Sequence, residues 1–181
     1  MEVFQAIKMR HSIRRYKCQP VPPDLLEKVL EAARQAPSWA NTQTWRFVVV
    51  SDEALRQRLA QIFPMNRAAE SVCQAPIAIV SCAELGKSGC LRGQRVSGKA
   101  WHLFDLGGAL QNLSLAAHAL GLATVHIGNF EPAPVKELLS VPAGFEVEVI
   151  TALGYPDEEP APTSRKSLAE IAFGNRFGET L

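Results

Sequence analysis

The sequence predicts one domain of the α/β or α+β class. Three observations predict it. Short, β-branched apolar runs alternate along the chain with segments whose apolar residues recur at the helical period. No internal repeat or domain linker interrupts that order. The 181 residues, 19.8 kDa, suit a single domain spanning 1–181. Surface scaling leaves about 8,600 Å² exposed after folding against roughly 29,000 Å² before, enough burial for the chain to fold alone.

The elements follow in order. Glu2 to Lys8 forms a short helix with Val3, Phe4 and Ile7 on one face. After a cation-dense stretch, Arg10 to Tyr16, the chain is broken at Pro20, Pro22 and Pro23. From Asp24, residues Leu25, Leu26, Val29, Leu30 and Ala33 mark a helix that ends before Pro37. Residues 37–45 are a polar loop with two tryptophans, and Phe47 to Val50 is a buried strand. Ser51 is the expected N-cap of a helix whose face is Leu55, Leu59 and Ile62. Pro76 to Cys82 is a second buried strand.

Residues 84–99 interleave Gly86, Gly89, Gly93 and Gly98 with Lys87, Arg92, Arg95 and Lys99. A loop this long in a compact domain is expected to be a mobile lid or a solvated flexible loop. Trp101 to Leu120 is the longest helix and is apolar almost all round, so it is expected to be buried on all sides. In so small a domain that points to a second subunit. Gly121 stops it as a C′ glycine. Then come a third strand (Leu122 to Ile127), a short helix (Val135 to Leu139), a fourth strand (Phe145 to Leu153), a Pro/acid-rich connection and a last helix after Ser167.

Composition excludes several function classes. Nineteen cations against eighteen anions leave a net charge of +1, with no global field to drive nucleic-acid binding. No apolar run reaches the ~18 residues of a membrane span, and Met1 to Arg15 has no signal-peptide pattern. Cys18, Cys73, Cys82 and Cys90 form no C-x-x-C pair and read as reduced cytoplasmic thiols. His11, His102, His118 and His126 lack metal-ligand spacing, so no metal is expected. A G-x-G-x-x-G after a strand, a P-loop and a G-x-S-x-G elbow are all missing.

Three clusters can carry chemistry. Arg10-His11-Ser12-Ile13-Arg14-Arg15 offers planar guanidinium forks and a short hydroxyl donor to an anion such as phosphate. Arg165-Lys166 offers a second set of cations some 150 residues on. Pro37-Ser38-Trp39-Ala40-Asn41-Thr42-Gln43 carries amide side chains that present both donors and acceptors, as the edge of a flavin or a nucleobase requires.

Taken in order, these clusters resemble the nitroreductase family of FMN-dependent NAD(P)H oxidoreductases. Further matching pieces are Thr44-Trp45-Arg46-Phe47, Ala75-Pro76, the D-x-G-x-x-x-Q-N-x-x-L-A-A-x-x-L-G-L run from Asp105 to Leu122, His126-Ile127-Gly128 and Leu153-Gly154-Tyr155-Pro156. Together they cover nearly the whole chain. The resemblance implies an α+β fold, with a central, mainly antiparallel sheet flanked by helices, in an intertwined homodimer holding FMN at the subunit interface.

The same resemblance implies site roles. Arg10, His11 and Ser12 would meet the FMN phosphate side, Arg14 the ribityl and pyrimidine end, and Arg165 and Lys166 the phosphate from the C-terminal side. Pro37, Ser38, Trp39, Asn41 and Gln43 would contact the isoalloxazine from the other subunit, with Ile127 and Gly128 near the ring. NADH or NADPH would donate electrons, and a nitroaromatic, quinone or similar small molecule would accept them in a ping-pong cycle. The chemistry would lie on the flavin, so no catalytic side chain is named. A relative that dehydrogenates or dehalogenates one metabolite, or a non-catalytic flavin-binding protein, would share these features. Two positions depart from the family pattern. Thr44 stands where a proline is usual, and His126 could bring a titrating group near the flavin.

Overall fold

The structure is a computed structural model and describes residues 1–63, 67–96 and 98–181. Its centre is a four-stranded antiparallel sheet in the order β1-β2-β6-β5, from β1 (Trp45–Val50), β2 (Ile77–Glu84), β5 (Ala123–Ile127) and β6 (Phe145–Gly154). The expected α+β class with an antiparallel sheet is what the chain adopts. The side-chain period of two sends alternate residues to two separate cores. On β2, Ala78, Val80 and Cys82 join one core, while Ile77 and Ile79 join the other.

Helices α3 (Glu53–Gln61), α4 (Arg67–Gln74) and α6 (Pro132–Leu138) supply the first core with Leu59, Val72 and Val135. Helices α2 (Pro23–Arg34) and α5 (Trp101–Ala119) supply the second with Val29, Ala33, Leu106, Leu110 and Leu113. The result is a helix–sheet–helix sandwich. On β6 the alternation changes phase: Val147 and Ile150, three apart, share the first core. The cause is a bulge opposite Ser81 and Cys82, which pair with Val149 and Val147 and leave Glu148 between them. Glu148 meets His102 of α5, Nε2 to Oε1 3.4 Å.

Local chemistry explains the element ends. Pro23 opens α2 at its first position, where a missing N–H is harmless. The cap of α3 is Asp52 rather than the expected Ser51. The Asp52 carboxylate accepts the Leu55 N–H at 2.8 Å, and an aspartate one residue on serves the helix start better. Gly121 takes φ +77 after α5 and donates to His118 O at 3.0 Å, as a C′ glycine should. Helix α4 has no counterpart in the sequence reading. Val72 is the only large apolar residue in its described part, too few for a visible period.

Two segments gain detail. Helix α5 is not enclosed within the protomer: Leu103 is 46 % exposed and Phe104 73 % exposed at its N-terminal end. Residues 84–99 contain a two-stranded hairpin, β3 (Cys90–Leu91) and β4 (Gln94–Arg95), turned by Arg92 and Gly93 at φ 50 and 79. Ser97 of the expected lid lies outside the described residues. Helices α1 (Val3–Met9) and α7 (Leu168–Ile171) flank the chain at either end. The second is closed by a capping box of Ser167 and Glu170.

Thr44 sits fully buried at the base of β1, and its carbonyl accepts the Glu84 N–H at 2.8 Å. Its hydroxyl has no partner among the described residues. Thr44→Val keeps the shape and removes a desolvated polar atom. It is expected to stabilise the fold by about 1 kcal/mol, seen as a higher urea midpoint at unchanged m. A lower midpoint would contradict that account.

Candidate functional site

The first site residues are placed by β5. The N–H of Ile13 donates to Thr124 O at 3.1 Å, and Ser12 forms a parallel bridge with Thr124. This lays Arg10 and His11 along a cavity of about 420 Å³ that also holds Ser114 and His118 of α5, Thr124 of β5 and Glu158. Its size falls within the range of small-molecule sites. His118 has a buried Nε2 without a partner among the described residues. Burial holds its pKa below the usual histidine value, and the charges of Arg10 and His11 act in the same direction.

A second cavity of about 330 Å³ adjoins the first and shares Glu158 and Pro160 with it; Arg14 and Arg15 line it. Residues 14–17 run antiparallel to residues 155–158. Lys17 N–H donates to Tyr155 O at 3.0 Å, and Asp157 N–H donates to Arg15 O at 2.9 Å. This brings the Glu158 carboxylate onto two backbone donors, Arg14 N–H at 2.5 Å and Arg15 N–H at 3.3 Å. The Glu158 carboxylate thus takes both of these N–H donors, while Arg14 and Arg15 line the second cavity, where guanidinium forks could meet an anion. Tyr16 anchors the strip from behind. Its hydroxyl donates to Ile13 O at 2.6 Å, and burial keeps it a neutral phenol by raising its pKa.

The remaining predicted residues lie apart from this cavity. Ser38, Trp39, Asn41 and Gln43 build a tight turn in which Ala40, Asn41 and Gln43 adopt φ 46, 56 and 47. The Gln43 N–H donates to Ser38 Oγ at 2.9 Å, and Gln43 Nε2 to Asn41 Oδ1 at 3.1 Å. Gln43 lines a different groove, with Leu26, Leu30 and Trp45, and Pro37 precedes the turn. Ile127 is buried at the end of β5, opposite Ile150, and Gly128 follows it exposed. Arg165 is turned onto Thr163, Nη1 to Oγ1 2.6 Å, and neither it nor Lys166 lines the Arg10 cavity. One protomer therefore places Arg10 and His11 in one cavity and Arg14 in the adjoining one, with Ser12 lining neither, and holds the Pro37–Gln43 turn apart from both.

His126 is a hydrogen-bonded strand residue. Its Nε2 lies 2.8 Å from Ser114 Oγ and its Nδ1 2.8 Å from Thr151 Oγ1. Thr124 Oγ1 donates to Ser114 Oγ at 3.2 Å, so both ring nitrogens belong to a hydroxyl network of Thr124, Ser114 and Thr151. The residue as a whole is exposed, but both its nitrogens are hydrogen-bonded. Burial, helped by the Arg10 charge, lowers its pKa from 6.5 to about 4. Between those values the unfolded chain binds more protons than the folded one. Stability is therefore full above pH 6.5 and falls as pH drops towards 4. His126→Gln is expected to flatten the melting-temperature profile across that window. An identical profile in both proteins would remove His126 as its source.

Sequence reasoning missed Ser114, His118, Asp105 and Glu158. The i, i+4 spacing of Ser114 and His118 on one helix face was the available signal. Nothing local marks Glu158, whose partners lie 143 and 144 residues away. Among the described residues no helix is long and apolar enough to cross a membrane.

Comparison with known proteins decides the family. A sequence model of the nitroreductase family matches residues 7–66 and 64–155. The chain belongs to the nitroreductase family. It is 34% identical over 200 residues to an NADH dehydrogenase of Thermus thermophilus, covering 96% of each protein. It is 26% identical to an NAD(P)H FMN reductase of Bacillus subtilis, covering 91% of this chain and 70% of that one. Among solved structures, an FMN-dependent nitroreductase from Clostridium difficile R20291 superposes with a TM-score of 0.81 at 30% identity, covering 96% of this nitroreductase chain and 99% of the other.

Proposed function

We propose that this nitroreductase family member is an FMN-dependent oxidoreductase that takes electrons from NADH or NADPH and passes them, in a ping-pong cycle, to a nitroaromatic, a quinone or a similar small acceptor. The observation that carries the reading is the pair of adjoining cavities. Arg10 and His11 converge in one, Arg14 and Arg15 in the other, and a carboxylate already docks on the backbone donors between them. Bound FMN would supply hydride acceptance from the nicotinamide and electron release to the acceptor.

The chain's own residues bind and orient. Arg10, His11 and Ser12 hold the phosphate side, since a phosphate ester of nearly two negative charges favours guanidinium forks. In this reading Arg14 would meet the pyrimidine end, where a cation would offset negative charge on the reduced ring. His126 stays uncharged near neutral pH, so it packs and orients rather than delivering a proton. Arg165 and Lys166 sit on an exposed segment, and Arg165 would reach the phosphate by leaving Thr163 and Ser164.

The Pro37–Gln43 turn serves the site of a second subunit. Helix α1 exposes Val3, Phe4, Ile7 and Met9, and α5 exposes Leu103 and Phe104. The protomer's accessible surface is 11183 Å², well above the about 8,600 Å² of a compact monomer of this mass. An apolar surplus of this kind is what a homodimer interface covers.

The test is anaerobic. The purified protein, reconstituted with FMN, is mixed with NADH and with NADPH, then with an acceptor panel containing nitrofurazone and menadione. Bleaching of the flavin band followed by reoxidation is the expected result. A flavin that stays oxidised with both nicotinamides would overturn the reading and favour a flavin carrier. Bleaching without turnover of any panel member would overturn the acceptor class alone.

A further inference from the structure

Asp105 is only 1 % exposed and stands one turn into α5. Its two oxygens serve two different segments. Oδ1 accepts the backbone N–H of Trp39 at 3.0 Å, and Oδ2 accepts the hydroxyl of Ser88 at 2.6 Å. A buried carboxylate with one strong donor on each oxygen is costly to leave half-paired, so the two segments are held as a unit.

One of those segments is under backbone strain. Ala40, Asn41 and Gln43 occupy positive φ without being glycine, a conformation that persists only where the surroundings impose it. Most bonds within the turn are local: Asn41 N–H to Ser38 O at 3.0 Å, Thr42 N–H to Trp39 O at 3.0 Å and Gln43 N–H to Ser38 Oγ at 2.9 Å. Among the described residues, the bond from Trp39 to Asp105 is the one that ties residues 38–43 to a distant element.

The other segment is the base of the hairpin. Ser88 is buried, and Gly89 beside it lies so close to α5 that an added Cβ would collide with the Trp101 ring at Cδ1. The Gly89 carbonyl accepts the Val96 N–H at 2.9 Å and closes the hairpin base. The hairpin therefore sits on the first turn of α5, with its cationic tip outward and its base sharing a carboxylate with the Trp39 turn.

We infer that Asp105 is a positioning residue that couples the 90–95 hairpin to the Trp39–Gln43 turn, so that the seating of the hairpin sets the shape of the turn. The inference rests on the flavin reading only for its consequence, that the ring-facing surface is tuned from the hairpin. The coupling itself is a property of the chain.

The experiment compares wild type, Ser88→Ala and Ser88→Thr as full-length, FMN-loaded protein by hydrogen exchange. In Ser88→Ala, amides of residues 38–43 are expected to exchange about five- to tenfold faster, as for loss of one buried hydrogen bond. Residues 145–154 of the sheet should exchange unchanged, which shows that the fold is intact. Ser88→Thr, which keeps the hydroxyl, should restore protection. Unchanged exchange at 38–43 in Ser88→Ala, or failure of threonine to restore it, would overturn the coupling. Visible absorbance of the wild-type protein reports separately on FMN. A protein that stays colourless after incubation with FMN, yet shows the exchange effect and its rescue, keeps the coupling and overturns the flavin reading.

Discussion

Arg10→Ala is expected to weaken FMN binding by about 1.5–3 kcal/mol, roughly 10- to 150-fold, the contribution of one hydrogen-bonding partner to a charged group. Arg10 lines the cavity with His11, and its positive charge is felt at both His118 and His126. Quenching of free FMN fluorescence on titration with the flavin-stripped chain gives the dissociation constant. The effect should shrink at high salt, because the wild-type contact is partly Coulombic and salt screens it. An unchanged constant would place the phosphate elsewhere. The same variant tests the shared site. Asn41→Ala, in the Trp39 turn, should also lose affinity, and exchanged subunits of the two variants should regain one intact site per heterodimer. No recovery after verified exchange would show that each protomer completes its own site.

Ile150→Ala is expected to destabilise the fold by about 2–5 kcal/mol, the range for truncating a large aliphatic side chain in a packed core. Ile150 is fully buried and stands in the middle of β6, opposite Val80 on one side and Ile127 on the other. No solvent reaches the vacated volume, and two strands frame it, so the site cannot easily collapse. A domain of ordinary stability has about 5–15 kcal/mol in total, so this single change would leave the protein close to unfolding at 37 °C. Val149→Ala, next along the strand but only half-buried on the opposite face, should cost clearly less. Urea unfolding of both variants checks the contrast, and equal losses would contradict the two-core description. Ile127 pairs with Ile150, so Ile150→Ala should also loosen the β5 end that carries His126.

What was legible in the sequence was periodic. Helices α2 and α5 and strands β1, β2, β5 and β6 all announce themselves through apolar spacing, and their order agrees with the structure. The misses have physical causes. Ser51 and Asp52 are both good caps, and only the geometry of the Leu55 N–H decides between them. The bulge at Glu148 changes the phase of β6 without any glycine or proline to signal it. Apolar residues all round α5 suggested enclosure, but a protomer covers only what its own chain can reach, and Phe104 is left outside. The arginine strip was readable at Arg10 to Arg15 because its residues are consecutive. Its other half was not, since Glu158 is defined only by partners far away in sequence; the same holds for Asp105, which serves the separate Trp39 turn.

The pairing of residues 12–17 with Thr124 and with residues 155–158 has a consequence for synthesis. The limb that carries the arginines is translated first, yet its partners lie 112 to 144 residues later. At about 5–20 residues per second, the ribosome takes roughly 6 to 29 s to reach them. For that interval the arginine limb has no strand to lie on and stays open to chaperones, proteases and polyanions. The arginine limb is therefore among the parts of the newborn chain that can close only late.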